Sequence, residues 1–420
     1  MERFLQKTKG DKVIWSVVVI LSLVSVLAVY SSTGTLAYRM RHGNTEYYLV
    51  KQLSVLILGI LIIYFAHRVN YTVYSRVAVF GFLVAIPLLV YTYFFGSHIN
   101  DASRWIRLPV INLTFQTSDM AKLALFMYMA RQLSKKQDVI KDLKKGYLPL
   151  IIPVVIICAL IAPANLSTAL LLGASCLMLC FIGRVRMKHI LMTILVAAIP
   201  LVFLVGAAMV TYHGQETGVD PSQDNNTLIV RAESHGRVGT WIRRVQDFMY
   251  SQHSEAPYQV QQAKIAIAGG GLFGRGPGNS EERNFLPHPY SDFIYAIIIE
   301  EYGLVGGALL IAFYLIFLFR SIRIFKRCPY AFGAFLAVGL SFTLVIQALA
   351  NMAVTVNIFP VTGVTLPLVS MGGSSIWFTS LAIGIILSVA RNVEDMEGSG
   401  TIRMDQPAFA GLTSNLDGND

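Results

Sequence analysis

Ten long apolar stretches, separated mostly by short charged connections, set the rhythm of this chain. They predict helices near 13–31, 49–67, 74–95, 116–133, 148–164, 165–183, 189–212, 292–319, 330–357 and 366–390. Each is about long enough to cross ~30 Å of hydrocarbon, which takes roughly 20 residues. The fifth and sixth are divided only by a turn at Pro163–Asn165. Between the seventh and eighth, residues 213–291 break the rhythm with a long polar segment. Inside it, RVGTWIRRVQDFM places Val238, Trp241, Ile242, Val245, Phe248 and Met249 at helical spacing, with Arg237, Arg243 and Arg244 off that stripe. The pattern suits a helix lying in the headgroup layer, or equally an amphipathic helix packed on the protein.

Composition turns the apolar runs into a fold class. Apolar residues make up 55% of the 420 and charged residues 14%, against ~25% charged in soluble domains. The expectation is an all-α membrane protein, a polytopic bundle of about ten transmembrane helices with one large extracytoplasmic loop between helices 7 and 8. Lys and Arg set its direction. Arg3, Lys7, Lys9 and Lys12, then Arg68 and Arg76, then Arg131 to Lys145, Arg184 to Lys188 and Arg320 to Arg327 all flank one side. The other side's short connections carry only Arg39, Arg41, Arg104 and Arg107, with Lys51 near a helix end. Both termini are therefore expected in the cytoplasm, and the net charge of +10 reads as topology rather than as a nucleic-acid surface. Residues 1–12 form the cytoplasmic N-terminus, 13–391 the membrane domain, and 392–420 an acidic tail expected to be disordered. Cys158, Cys176 and Cys180 fall in spans and Cys328 in a cytoplasmic loop, so no extracytoplasmic disulfide is expected. The first apolar run is expected to be retained rather than cleaved as a signal peptide.

Charges inside the oily stretches are the candidates for chemistry. LPHPYSDFIYAIIIEEYGLVGG begins at Leu286 and carries Asp292, Glu300 and Glu301. A carboxylate at the bilayer centre costs roughly 2.5–3.5 kcal/mol by insertion scales, so it needs a task. Asp292, Ala296 and Glu300 share a helix face at i, i+4 and i+8, whereas Glu301 points ~100° away. Asp292 could alternatively cap its helix, and Glu300 could sit in a structural ion pair. In the fourth stretch Asp119 and Lys122 lie one turn apart and could satisfy one another; Arg104 and Arg107 flank Trp105 before it, and such cations suit phosphate oxygens. YQVQQAKIAIAGGGLFGRGPGNS is glycine-rich, but it lacks the Gly-Lys-Ser/Thr of a nucleotide loop. FPVTGVTLPLVSMGGSS, with Ser370 and Ser374, opens the tenth stretch with broken backbone, which at membrane depth must line a cavity or lie in protein. The histidines show no metal-ligand spacing, and only His288, near Asp292, is placed to matter.

ASRWI with QTSDMAKLA, the glycine loop with LPHPYSDFIYAIIIEEYGLVGG, and TGVTLPLVSMGGSS together resemble the SEDS family of shape, elongation, division and sporulation proteins. The resemblance covers roughly residues 97–390, and is nearer to the division branch than to the elongation branch. It implies a peptidoglycan glycosyltransferase that polymerises lipid II, an undecaprenyl-diphosphate-linked disaccharide-pentapeptide, at the outer face of the bacterial cytoplasmic membrane. Matched position by position, it implies Asp292 as the catalytic aspartate, with Arg104, Lys122, Gln261, Gln262, Glu300, Ser370 and Ser374 binding substrate. Departures stand at His288, Tyr290 and Ser291, which argue against a histidine-assisted proton route, at Asp119 and Met371, and at Asn165, which removes one alternative acid. Implied partners are a class B penicillin-binding transpeptidase and other division or elongation proteins. No cofactor is demanded; a divalent cation, Mg or Mn, could share the diphosphate with Arg104 and Lys122. Two other readings stay open: a lipid II flippase lined by Lys122, Glu300 and Glu301, and a scaffold that recruits the transpeptidase.

Overall fold

The computed structural model describes residues 10–34, 36, 38, 45–99, 102–107, 114–216, 237–250 and 258–399. Its helices are α1 (Lys12–Ser32), α2 (Thr45–Arg68), α3 (Tyr71–Phe95), α4 (Thr117–Lys135), α5 (Leu148–Ile161), α6 (Leu166–Ile182) and α7 (Met187–Glu216), then α8 (Arg237–Tyr250), α9 (Tyr258–Gly270), α10 (Ile294–Arg327), α11 (Ala331–Thr355) and α12 (Ser374–Gly398). Polar side chains fix several starts. Asp11 accepts from the Val13 and Ile14 amides at 3.0 and 3.1 Å, Asn70 caps α3, and Asn165 caps α6 through the Thr168 amide at 3.2 Å. Among the described residues, eight helices are long and apolar enough to span a bilayer, so this is a multi-pass membrane protein. Of the other stretches expected to span, α4 is more polar and α6, at 17 residues, is short. Both nevertheless bury their apolar faces in the bundle core.

α11 and α12 form the centre, with 67% and 72% of their apolar stretches buried, against 11% for α7 at the edge. α7 packs mainly against α8, where Ile242 closes on Ala207 and Ala208. The amphipathic helix is thus real, and its stripe meets protein at least in part. Four differences from expectation have local causes. A three-stranded antiparallel sheet, β1 (Ser97–Ile99), β2 (Ala102–Arg107) and β3 (Thr114–Gln116), fills what read as a plain connection, with Trp105 opposite Gln116. α12 starts at Ser374 rather than near 366, because Pro367, Gly372 and Gly373 hold the approach out of helix. It then runs to Gly398, so residues 392–398 are helical where a disordered tail was expected. Arg391 pairs with Asp395, Arg327 with Glu397, and Glu394 accepts the Gly10 amide at 2.7 Å. Residues 400–420 lie outside the described residues.

The fourth difference concerns α10. It carries 34 residues, and at ~1.5 Å each it is far longer than the ~30 Å of hydrocarbon. Gly303, at φ 71°, interrupts it. The backbone groups released there are taken up by the glycine loop after α9. Arg275 and Gly276 amides donate to the Glu300 and Glu301 carbonyls at 2.9 Å, while Leu304 donates to Gly271 at 2.9 Å and Val305 to Leu272 at 3.2 Å. A broken helix in a membrane protein survives only with such replacement.

Candidate functional site

Asp292 stands in the turn just before α10, half-buried, and its carbonyl is held by the Asn351 amide at 2.9 Å. The same Asn351 nitrogen donates to the Val364 carbonyl at 2.7 Å, clamping two irregular segments together over α11. Ser370 adds a second clamp: its hydroxyl donates to the Ser291 carbonyl at 2.6 Å and accepts the Leu366 amide at 2.8 Å. The Met371 amide closes on the Tyr290 carbonyl at 2.9 Å. The backbone from Tyr290 to Asp292 is therefore fixed by hydrogen bonds from Met371, Ser370 and Asn351, the arrangement expected where an acid must be aimed.

Asp292 lines a cleft of about 430 Å³. α4 supplies its cation. Lys122 makes an ion pair with Asp119 at 2.6 Å and donates to Gln347 at 3.2 Å; Gln347 in turn donates to the Thr365 carbonyl at 3.0 Å. Two protein acceptors fix the ammonium and leave its remaining proton for a ligand. The second carboxylate oxygen of Asp119 is buried without a partner among the described residues, in a side chain that lines the cleft. Arg244, on α8, also lines the cleft. Burial lowers its guanidinium from the usual range and the Asp292 charge opposes that, so the two groups interact; an arginine stays charged regardless. Lys51, Trp105, His288 and Tyr290 complete the rim. Burial, with help from Asp292, pushes the Tyr290 phenol up, so it remains a neutral donor at neutral pH.

The structure sorts the expected residues into three groups. Asp292 and Lys122 meet in one cleft. Ser370 and Ser374 build its walls instead of lining it; Ser374 accepts the Gln116 amide at 3.1 Å and joins β3 to α12. Glu300, Gln261 and Gln262 are not among the cleft's lining residues. Glu300 is fully buried beneath the glycine loop, accepting from Ser280 at 2.5 Å, from the Glu281 amide at 2.9 Å, and facing Arg275 at 3.6 Å. The shared face with Asp292 fails because helix geometry begins only at Ile294. Glu301 accepts from Ser31 at the end of α1, and Arg283 donates to the same serine at 3.2 Å. Both glutamates thus tie the loop to the bundle. β2 positions Arg104, whose side chain lies outside the described residues. Sequence reasoning passed over Gln347 and Asn351, and it gave Arg244 no part in the site. Two amides on an apolar helix were the available signal. Among the described residues, no group of three or more His, Cys, Asp or Glu side chains is placed to hold a metal ion. Lys51, Lys122 and Arg244 are the cationic side chains that line the cleft.

The chain matches the family model of the FtsW/RodA/SpoVE cell cycle proteins over residues 11–395. It belongs to this family. A relative in Trichlorobacter lovleyi named "Probable peptidoglycan glycosyltransferase FtsW" is 31% identical over 390 residues, covering 91% of this chain and 94% of that one. Among solved structures, a chain from work on polymerization and crosslinking by a peptidoglycan synthase complex superposes with a TM-score of 0.67 at 22% identity, covering 91% of this chain and 98% of that one. The rod shape determining protein RodA of Thermus thermophilus gives 0.63 at 20% identity, covering 92% and 98%. The two structures share the SEDS fold, and the family places this chain among the proteins that the three sequence motifs resemble.

Proposed function

We propose that this SEDS protein polymerises lipid II into glycan strands at the outer face of the bacterial cytoplasmic membrane, for septal wall synthesis. The observation that carries the reading is a backbone-clamped aspartate in a cleft that Lys51, Lys122 and Arg244 also line. Asp292 takes the proton from an acceptor sugar hydroxyl as that oxygen bonds to the anomeric carbon of the lipid-linked donor. The bond from that carbon to the diphosphate oxygen breaks, and undecaprenyl diphosphate leaves with the electron pair. Attack opposite the leaving group inverts the anomeric centre. General-base help of this kind contributes roughly 10²–10⁴-fold, and Lys122 and Arg244 stabilise the charge gathering on the diphosphate. The names carried by the relatives support the reaction, and the fold shared with a synthase-complex chain supports a class B transpeptidase as partner.

The test is purified protein in detergent given lipid II. Wild type forms glycan, while Asp292→Ala, inserted and folded, forms none. Polymer from the variant removes Asp292 from the mechanism. A wild type that forms none, yet moves labelled lipid II across vesicle bilayers, replaces the polymerase with a flippase.

A further inference from the structure

Beside the Asp292 cleft lies a second cavity of about 390 Å³, walled by Arg244, Asp247 and Phe248 of α8, Tyr258 and Gln259 of α9, and Asn357 after α11. The two cavities follow each other along the same walls. Arg244 lines both. Pro287 lines the second, and His288 to Asp292 largely line the first. Val361 lines the second, and Gly363 to Thr365 line the first. A chain-like ligand running from Asp292 along these two segments enters the second cavity next. Both volumes fall within the ~300–1,000 Å³ usual for small-molecule sites.

The lining chemistry selects the ligand. A prenyl tail would bury Asp247 and Arg244 against hydrocarbon, which leaves charges without water. A saccharide fits the same surface. Tyr258 and Phe248, 52% and 37% exposed, offer ring faces for the apolar side of a pyranose. Asp247 accepts from hydroxyls, and the amides of Gln259 and Asn357 can both accept and donate, as hydroxyl and N-acetyl groups require. We propose that this cavity is a subsite for the N-acetylhexosamine units adjoining the one that reacts at Asp292, and that it keeps the strand bound between additions. The proposal rests on the polymerase reading above.

Tyr258→Ala and Asp247→Asn proteins, purified in detergent and given lipid II, are compared with wild type for strand length on gels. Strands several-fold shorter from both are expected. Gln259→Ala repeats the test with a third side chain of the same wall, and thermal melting separates lost fold from lost grip. Strands of wild-type length from folded variants overturn the subsite. Folded variants that form no glycan at all overturn it too, because the cavity then serves the chemistry rather than strand length. Wild-type protein without product overturns the polymerase reading, and the subsite with it.

Discussion

Lys122 and Asp119 pose the sharpest question at the scale of single residues, because a buried ion pair can be structure or machinery. Asp119 is 4% exposed and Lys122 14%. Removing one partner of such a pair leaves a buried charge uncompensated, which costs about 3–5 kcal/mol. Lys122→Met is therefore expected to lower the melting temperature markedly and to abolish glycan formation. The double variant Asp119→Asn/Lys122→Met removes both charges. If Lys122 serves the diphosphate, the double variant regains most of the stability and none of the activity. Melting in detergent and the lipid II assay read the two separately; recovery of both together would make the pair purely structural. This pairing was legible in the sequence, since one helical turn separates the two residues. The clamp at Asn351 was not. Its side chain reaches Asp292 and Val364, partners 59 and 13 positions away, and nothing local marks it.

Elements were legible wherever periodicity ran unbroken, and illegible where backbone partners come from far along the chain. The apolar runs gave the long helices to within a few residues at most ends. The sheet before α4 stayed hidden, because its strands are three to six residues long and lack clear alternation. Glu300 read as a site residue because the loop that covers it lies about twenty positions earlier. The joint between that loop and α10 makes its own prediction. At Gly303 a Cβ would collide with the carbonyl of Leu272, and φ is +71°. At Gly271 the φ is +55°, yet the space a Cβ would take is open, with no neighbouring atom within 4 Å. Gly271→Ala should thus cost only the left-handed backbone penalty, about 1–2 kcal/mol. Gly303→Ala should cost clearly more, because the loop must move off Glu300 and Glu301. Melting temperatures of the two variants check the order; equal losses would mean that the close approach of loop and helix is not what holds the joint.

Sidedness belongs to the whole molecule and follows from charge counted over every connection rather than from any one helix. The Asp292 cleft and the glycine loop sit at one end of the bundle. At the other, Asp11 and Arg320 join α1 to α10 through contacts of 2.7 and 2.8 Å, and the Lys-rich turns follow α4. A lipid-linked sugar polymerised outside the cell requires the cleft end to face outward. The native thiols leave little background for a labelling test, since Cys176, Cys180 and Cys328 are buried and Cys158 is half-buried. Pro277, exposed in the glycine loop, and Lys141, exposed after α4, mark the two ends. In intact spheroplasts a membrane-impermeant maleimide should label Pro277→Cys at once, and Lys141→Cys only after lysis. The reverse pattern would put the cleft among cytoplasmic nucleotides and away from growing wall. Asp292 could then have no outer-face sugar to deprotonate, however well it is held.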